Sequence, residues 1–302
     1  GGAGFPTHVK LSPKEPDKID HILVNGAECE PYITSDYRRM MEEPESIVGG
    51  LEVILKAFPK AVGCICIEDN KPDCIARMKE AIKGKERMEV KELKTKYPQG
   101  GERQLIYATT GRAINSAMLP ADAGCIVDNV ETMIAIKHAV KDGVPVMKRI
   151  ATITGDAITT PSNFLYSMGT PYEQLVEAAG GFKVQPQKLV SGGPMMGFAQ
   201  ASLTPACTKG SSCLLFMTDK EFNLNPTTPC ISCGKCIINC PMSLVPREIE
   251  KAVEKDDFES TFKMGVLNCI ECGACSYSCP AKRPLVQAMR LAKKEIKARG
   301  IK

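Results

Sequence analysis

The chain has 302 residues, 39 Lys and Arg against 35 Asp and Glu, a formal net charge of +4 and a mean hydropathy of −0.12. That length suits two or three domains with a sizeable core, and so weak a charge is no argument for a nucleic-acid partner. No stretch nears the roughly 20 apolar residues of a membrane span, and no signal-peptide pattern is present. The chain opens Gly1-Gly2-Ala3-Gly4-Phe5-Pro6 without a Met. A glycine-rich loop normally follows a strand, so a fragment or a processed piece is expected.

In chain order, His21–Asn25 reads as a short buried strand and residues 46–58 as a helix, with Pro44 and Glu45 in its first turn. Residues 61–68 read as a strand, 72–83 as a helix, 125–129 as a third strand and 131–140 as a helix. Strand and helix in alternation predict an α/β layer with a largely parallel sheet, here assigned to residues 1–145. Asn25 and Asn129 both fall just after strands, where open α/β sheets bind ligands. Residues 146–205 read as a small strand–helix–strand module of the β-grasp kind. Arg149–Thr154 is its first strand; its helix runs over residues 171–179, with Pro171 at the first position and Gly180-Gly181 after the end. A connection with one strand over residues 212–218 leads into the cysteine-rich region. Residues 206–302 are assigned to that last domain, which ends in a basic amphipathic helix over 284–297. Lys and Arg near a helix C-terminus suit its dipole; a docking surface for partners or anionic lipid is the alternative.

Fifteen cysteines are present, eight of them in two identical runs. That distribution predicts metal in a reducing compartment rather than a disulfide scaffold. Cys29, Cys64, Cys66, Cys74, Cys125, Cys207 and Cys213 sit largely in apolar surroundings and read as small hydrophobes. The runs Cys230-x2-Cys233-x2-Cys236-x3-Cys240-Pro241 and Cys269-x2-Cys272-x2-Cys275-x3-Cys279-Pro280 have the spacing of tandem four-iron, four-sulfur sites. Three thiolates two residues apart wrap one face of a cubane; the fourth, followed by Pro, turns away to the other cluster. One cluster is therefore expected on Cys230, Cys233, Cys236 and Cys279, and the other on Cys269, Cys272, Cys275 and Cys240. Zinc would use two separated pairs for one tetrahedron. Helical patterns over 246–254 and 258–265 favour a helical two-cluster domain over a compact β-rich ferredoxin.

Four further segments are weaker signals. The Gly1-to-Thr7 loop suits either a plain turn or a phosphate cradle, with Lys10 nearby. Asn25-Gly-Ala-Glu28-Cys29-Glu30-Pro31 places two carboxylates after a strand, where a solvated acidic turn is the alternative. Tyr97-Pro-Gln-Gly100-Gly101-Glu102 joins a double glycine to an aromatic ring. Asp128-Asn129-Val130-Glu131-Thr132 opens a helix, where N-capping alone would account for it. His8, His21 and His138 have no metal-ligand spacing and read as structural or exposed.

Taken with the two runs and the Ser191-to-Gly197 segment SGGPMMG, these motifs resemble the family of C subunits of Rnf electron-transport complexes. That family is related to the NADH-binding flavoprotein subunit of respiratory complex I, whose helical end carries a single cluster. The resemblance covers the whole chain. It implies a Rossmann-like flavin and NADH domain, a β-grasp module of the SLBB type and a helical domain with two 4Fe-4S clusters. It also implies FMN, NAD(H), electron exchange with ferredoxin through partner subunits, and a peripheral place on the cytoplasmic face of the bacterial membrane. Carried over by position, Gly1, Gly2, Gly4 and Lys10 would hold the flavin phosphate. Asn25, Gly100, Gly101, Glu102, Asn129 and Thr132 would line the flavin site. Glu28 and Glu30 would face the nicotinamide nucleotide, Phe5 would stack on adenine, and Tyr97 on flavin or nucleotide. Ala27 and Gly101 depart from the complex I pattern, which has acidic residues there. A cobalamin-reductase-like flavoprotein and a pure iron–sulfur relay are the alternative readings.

Overall fold

The computed structural model describes residues 4–220 and 226–301. The chain divides into two compact units, residues 1–221 and 222–302.

The first unit opens with a short helix α1 (Thr7–Lys10) and strand β1 (His21–Asn25), then α2 (Ser35–Glu42), α3 (Pro44–Ala57), β2 (Val62–Glu68), α4 (Pro72–Ala81) and β3 (Met88–Leu93). Helix α5 (Glu102–Thr110), β4 (Cys125–Asn129) and α6 (Val130–Lys141) follow. The four strands form one parallel sheet in the order β3-β2-β1-β4. On one face Ile22, Val24, Ile65 and Ile67 pack with Ile47, Leu51 and Ile54 of α3 and Met133 of α6. On the other, Leu23, Cys64, Cys66, Cys125 and Val127 pack with Leu105 and Ile106 of α5. Burial on both faces is what the continuous apolar runs require of a parallel sheet. It also pushes the Cys66 thiol up to about 12 and that of Cys125 up to about 11, which leaves both as inert small hydrophobes. Helices α3 and α6 cross so closely that a Cβ on Gly50 would lie 1.9 Å from the Met133 carbonyl oxygen.

A second sheet follows, from β5 (Lys148–Thr154), β6 (Ser162–Ser167), α7 (Tyr172–Ala178), β7 (Lys188–Ser191), β8 (Phe198–Gln200) and β9 (Cys213–Met217). Its order is β6-β5-β9-β7-β8, with β5 and β9 parallel and the other pairs antiparallel. Tyr172, Leu175 and Val176 of α7 pack on Ile153, Leu214 and Phe216. The domain boundary was expected at 205/206. Strand β9 is wholly buried between β5 and β7, so the first unit continues to 221.

The second unit is helical: α8 (Lys235–Ile238), α9 (Pro246–Glu254), α10 (Phe258–Lys263), α11 (Ala274–Tyr277) and α12 (Leu285–Arg299). Ile249, Phe258, Val266, Met289, Ala292 and Ile296 form its core. The two cysteine runs repeat the backbone as well as the spacing. Ser232, Gly234 and Ser243 have positive φ, and so do Glu271, Gly273 and Lys282, each 39 positions on. Helix α12 is less free a basic surface than its sequence implies. Arg290 and Lys293 pair with Glu271, and Arg299 pairs with Asp256 and Glu295. No helix among the described residues is long and apolar enough to cross a membrane.

Candidate functional site: a switch-point crevice and two cysteine cavities

Strand β1 is followed in the sheet by β2 on one side and by β4 on the other, so the topology reverses between β1 and β4. The crevice outside the carboxyl ends of those two strands is where such sheets bind ligands. Asn25 and Asn129 are the last residues of β1 and β4 and lie opposite each other in the ladder. The Asn25 amide donates to the Gly100 carbonyl at 2.9 Å, and its Oδ1 accepts from the Ala27 amide. The Asn129 Oδ1 caps α6 by accepting from Glu131 N, while its Nδ2 donates to Asp36 Oδ2 at 2.6 Å. Gly100 approaches Cys29 closely: its amide donates to the Cys29 sulfur at 3.2 Å. Gly101 is the N-cap of α5 and Glu102 its first residue. Thr132 is half-buried in the first turn of α6. The structure therefore brings Asn25, Gly100, Gly101, Glu102, Asn129 and Thr132 to one end of the sheet.

Other expected ligands are engaged by protein groups. Lys10, expected on a flavin phosphate, donates to the Val127 carbonyl at 2.6 Å and lies 3.5 Å from Asp128 and 3.7 Å from Glu102. Its charge balances two carboxylates at the end of β4. Glu28, expected to face a nucleotide, accepts from the amides of Asp36 and Tyr37 at 2.6 and 3.0 Å and so caps the start of α2. Burial, with Asp36 close by, lifts its carboxyl well above the usual range. Glu30 accepts from the amides of Met195 and Met196 at 2.7 and 3.0 Å and from the Tyr97 hydroxyl at 3.2 Å. It reaches the loop between β7 and β8 because Gly193 has no side chain: a Cβ there would lie 2.1 Å from the Glu30 Cγ. Thr34 also meets the second sheet, its amide donating to Thr152 Oγ1 at 3.1 Å. The segment after β1 is thus held against the β-grasp module at both ends. Phe5 is 52% exposed and Gly4 has φ +67 in open space. Gly1 and Gly2 lie outside the described residues.

Two groups in this region were missed by the sequence reading. Asp128 is only 5% exposed, and its Oδ2 is buried without a hydrogen-bond partner among the described residues. Burial lifts its carboxyl above the usual range even with Lys10 beside it. Gln99, 2% exposed, leaves its Oε1 in the same condition. The signal was a carboxylate inside the apolar run Cys125-Ile-Val-Asp128. Buried unpartnered acceptors are costly unless a ligand meets them. The amide, imide and hydroxyl groups of a flavin are of the kind that would, so the residues at this crevice fit FMN.

In the second unit the cysteines line two spaces. Cys230, Cys233, Cys236 and Cys279 line an open cavity of about 750 Å³, whose walls include Arg247, Arg283, Glu254 and Leu285. Cys240, Cys269, Cys272 and Cys275 line a much smaller space of about 20 Å³, walled by Met242, Leu244, Val286 and Met289. In both, the cysteine followed by Pro comes from the other run. The Ser232 amide donates to the Cys230 sulfur at 3.4 Å. The Glu271 amide donates to that of Cys269 at 3.3 Å, and the Leu244 amide to that of Cys240 at 3.4 Å. Burial raises the Cys275 thiol to about 12, so a metal must displace its proton on loading. Among the described residues no three His, Cys, Asp or Glu side chains converge on a single metal ion.

Comparison with known proteins decides the family. The description "Nuo51 FMN-binding domain" matches residues 1–138, "SLBB domain" 150–199 and "4Fe-4S dicluster domain" 223–280. The C subunit of the Na(+)-translocating ferredoxin:NAD(+) oxidoreductase complex of Acetobacterium woodii is 45% identical over 296 residues, which are 98% of this chain and 67% of that protein. The chain belongs to the family of C subunits of ion-translocating ferredoxin:NAD(+) oxidoreductase complexes. A further member, from the proton-translocating complex of Clostridium ljungdahlii, is 48% identical over 99% of this chain and 66% of its own length. The member from the ion-translocating oxidoreductase complex of Pseudomonas aeruginosa is 41% identical over 98% of the chain. This chain spans about two thirds of the first two relatives and 38% of the Pseudomonas protein. Among solved structures, an NAD+-reducing [NiFe]-hydrogenase in the H2-reduced state shares the fold, with a TM-score of 0.66 at 15% identity over 98% of this chain and 58% of that one. Its air-oxidised form gives 0.58 at 19% identity over 99% of this chain and 51% of that one.

Proposed function

We propose that this chain passes electrons between NADH, FMN and two 4Fe-4S clusters, as the electron-transfer subunit of a membrane-bound NADH:ferredoxin oxidoreductase coupled to ion translocation. The carrying observation is the sorting of the eight cysteines into two crossed sets, each around its own cavity. The switch-point crevice with its unpartnered acceptors supports a flavin as a further carrier. Bound FMN supplies what the other groups lack, a carrier that takes a hydride and gives electrons up singly. Asn25, Gly100, Gly101, Asn129 and Thr132 line its ring and Gln99 and Asp128 accept from it, while Lys10 holds the Asp128 charge. Gly1, Gly2 and Gly4 cradle the phosphate, and Phe5 and Glu102 flank the nucleotide. Glu28, Glu30 and Tyr97 hold the loop after β1 in place rather than touch substrate. Residues 1–145 form the flavin domain, and the β-grasp module runs from 146 to the end of β9.

The other members of the complex provide the membrane span and the route to ferredoxin, with this chain peripheral on the cytoplasmic face. Crossed ligation makes a selective forecast. Cys279→Ser depletes the cluster of the first run while leaving the second filled, and Cys240→Ser does the reverse. The unaltered protein should hold about eight irons, four per cluster. Iron analysis with EPR of the reduced protein reads both. Loss of the same signal in both variants, or about one zinc per run, would sink the assignment.

A further inference from the structure

The 39-residue repeat allows the two cysteine sites to be compared position by position, and they differ at several positions: Glu254 corresponds to Lys293, Ser232 to Glu271 and Ala281 to Met242. Three polar residues of the first site are apolar in the second. Arg247 corresponds to Val286, Arg283 to Leu244 and Glu250 to Met289. Arg247 and Arg283 stand in the wall of the first cavity; Val286, Leu244 and Met289 stand in the wall of the second. The polar three form a network. Arg247 Nη1 donates to Glu250 Oε2 at 2.8 Å, Arg283 Nε donates to Glu250 Oε1 at 2.9 Å, and Glu250 is 2% exposed. Both guanidinium groups also reach Glu254. Glu250 fixes the Arg247 head, but the Arg247 Nε is left buried with no acceptor among the described residues. An N–H group so held, in the wall of a cavity lined by four cysteines, has a thiolate or sulfide as its natural acceptor.

We infer that Arg247, fixed by Glu250 and Arg283, sets the cluster of the first run at a higher reduction potential than that of the second, so that a single electron shared by the pair rests on Cys230, Cys233, Cys236 and Cys279. This rests on the crossed ligation proposed above. Reduction adds one negative charge to a cluster and breaks no bond. Hydrogen bonds to sulfur and access to solvent stabilise that added charge, whereas an apolar wall penalises it. The first site has the buried Arg247 Nε–H, the guanidinium groups and the more exposed cysteines; the sulfurs of the second accept the Glu271 and Leu244 amides, but its wall is methionine, leucine and valine.

The test is an EPR-monitored potentiometric titration of the protein with both clusters loaded, using dithionite as reductant. Two one-electron steps are expected, and Cys233→Ala should remove the signal of the higher one. Arg247→Val, which installs the residue of the second site, should lower that step and leave the other unmoved; Arg247→Lys should lower it by less. Should Arg247→Val hold only one cluster, Arg283→Leu gives the same reading. The inference is overturned if Cys233→Ala removes the lower step, or if the higher step stays put in every Arg247 or Arg283 variant that keeps both clusters. Iron and sulfide content of the unaltered protein tests the ligation separately: too little for two clusters removes that reading, whereas two clusters in the opposite order removes only this inference.

Discussion

Glu30 shows how a residue can stand in the expected motif and serve another end. Its carboxylate closes hydrogen bonds to two amides of the β-grasp loop and to the Tyr97 hydroxyl, and Gly193 leaves the room for it. Hydrogen bonds to a charged acceptor contribute about 1.5–3 kcal/mol each before solvent screening. Glu30→Ala should therefore release the loop, with hydrogen exchange at Met195 and Met196 rising at least tenfold while Glu30→Gln stays near the parent. Unchanged protection in Glu30→Ala would show that the loop is held by other contacts. The sequence placed the two glutamates after β1 but could not say which way they turn. Glu28 turns to the start of α2 and Glu30 to a loop some 165 positions on, a pairing that only the fold creates. Asp128 was concealed for the opposite reason. Its neighbours marked it as part of a strand, and the oxygen left without a partner emerges only from the packing.

At the scale of elements, the strands β1, β2 and β4 were legible because burial on both faces demands unbroken apolar runs. Their helices α3, α4 and α6 were legible from period and, in α3 and α4, from Pro in the first turn. Strand β3 was not: Met88-Glu-Val-Lys-Glu-Leu93 lies at the sheet edge, where charge is tolerated and guards against pairing with other chains. Helices α2 and α5 were also missed. Ser35 and Met40 are the only buried residues of α2, and Leu105 and Ile106 those of α5, too few to set a period. The contact of α3 with α6 turns on Gly50, since any Cβ there meets the Met133 backbone. Gly50→Ala should cost about 1–3 kcal/mol through overpacking, although alanine is the better helix former. Denaturant unfolding checks this, and a gain in stability would mean that the helices can part without loss.

For the whole molecule, the order of modules was readable because each announces itself by a different pattern: strand–helix alternation, a short strand–helix–strand unit and a cysteine repeat. The boundary was not, because β9 is separated in sequence from the strands it joins and lies between them in space. The cysteine repeat raised the expectation of a crossed grouping through spacing alone. The difference between the two sites needed the coordinates, since Arg283 and Leu244 face opposite cavities across the repeat. All of these features bear on one claim, that electrons from NADH enter through a flavin and reach both clusters. An anaerobic NADH titration of the chain loaded with FMN and both clusters, followed by visible absorbance and EPR, tests it most directly. The account predicts bleaching of the flavin and of the cluster bands by NADH, with the cluster of the first run reduced before the second. Clusters reduced by dithionite while NADH leaves both flavin and clusters oxidised would contradict it.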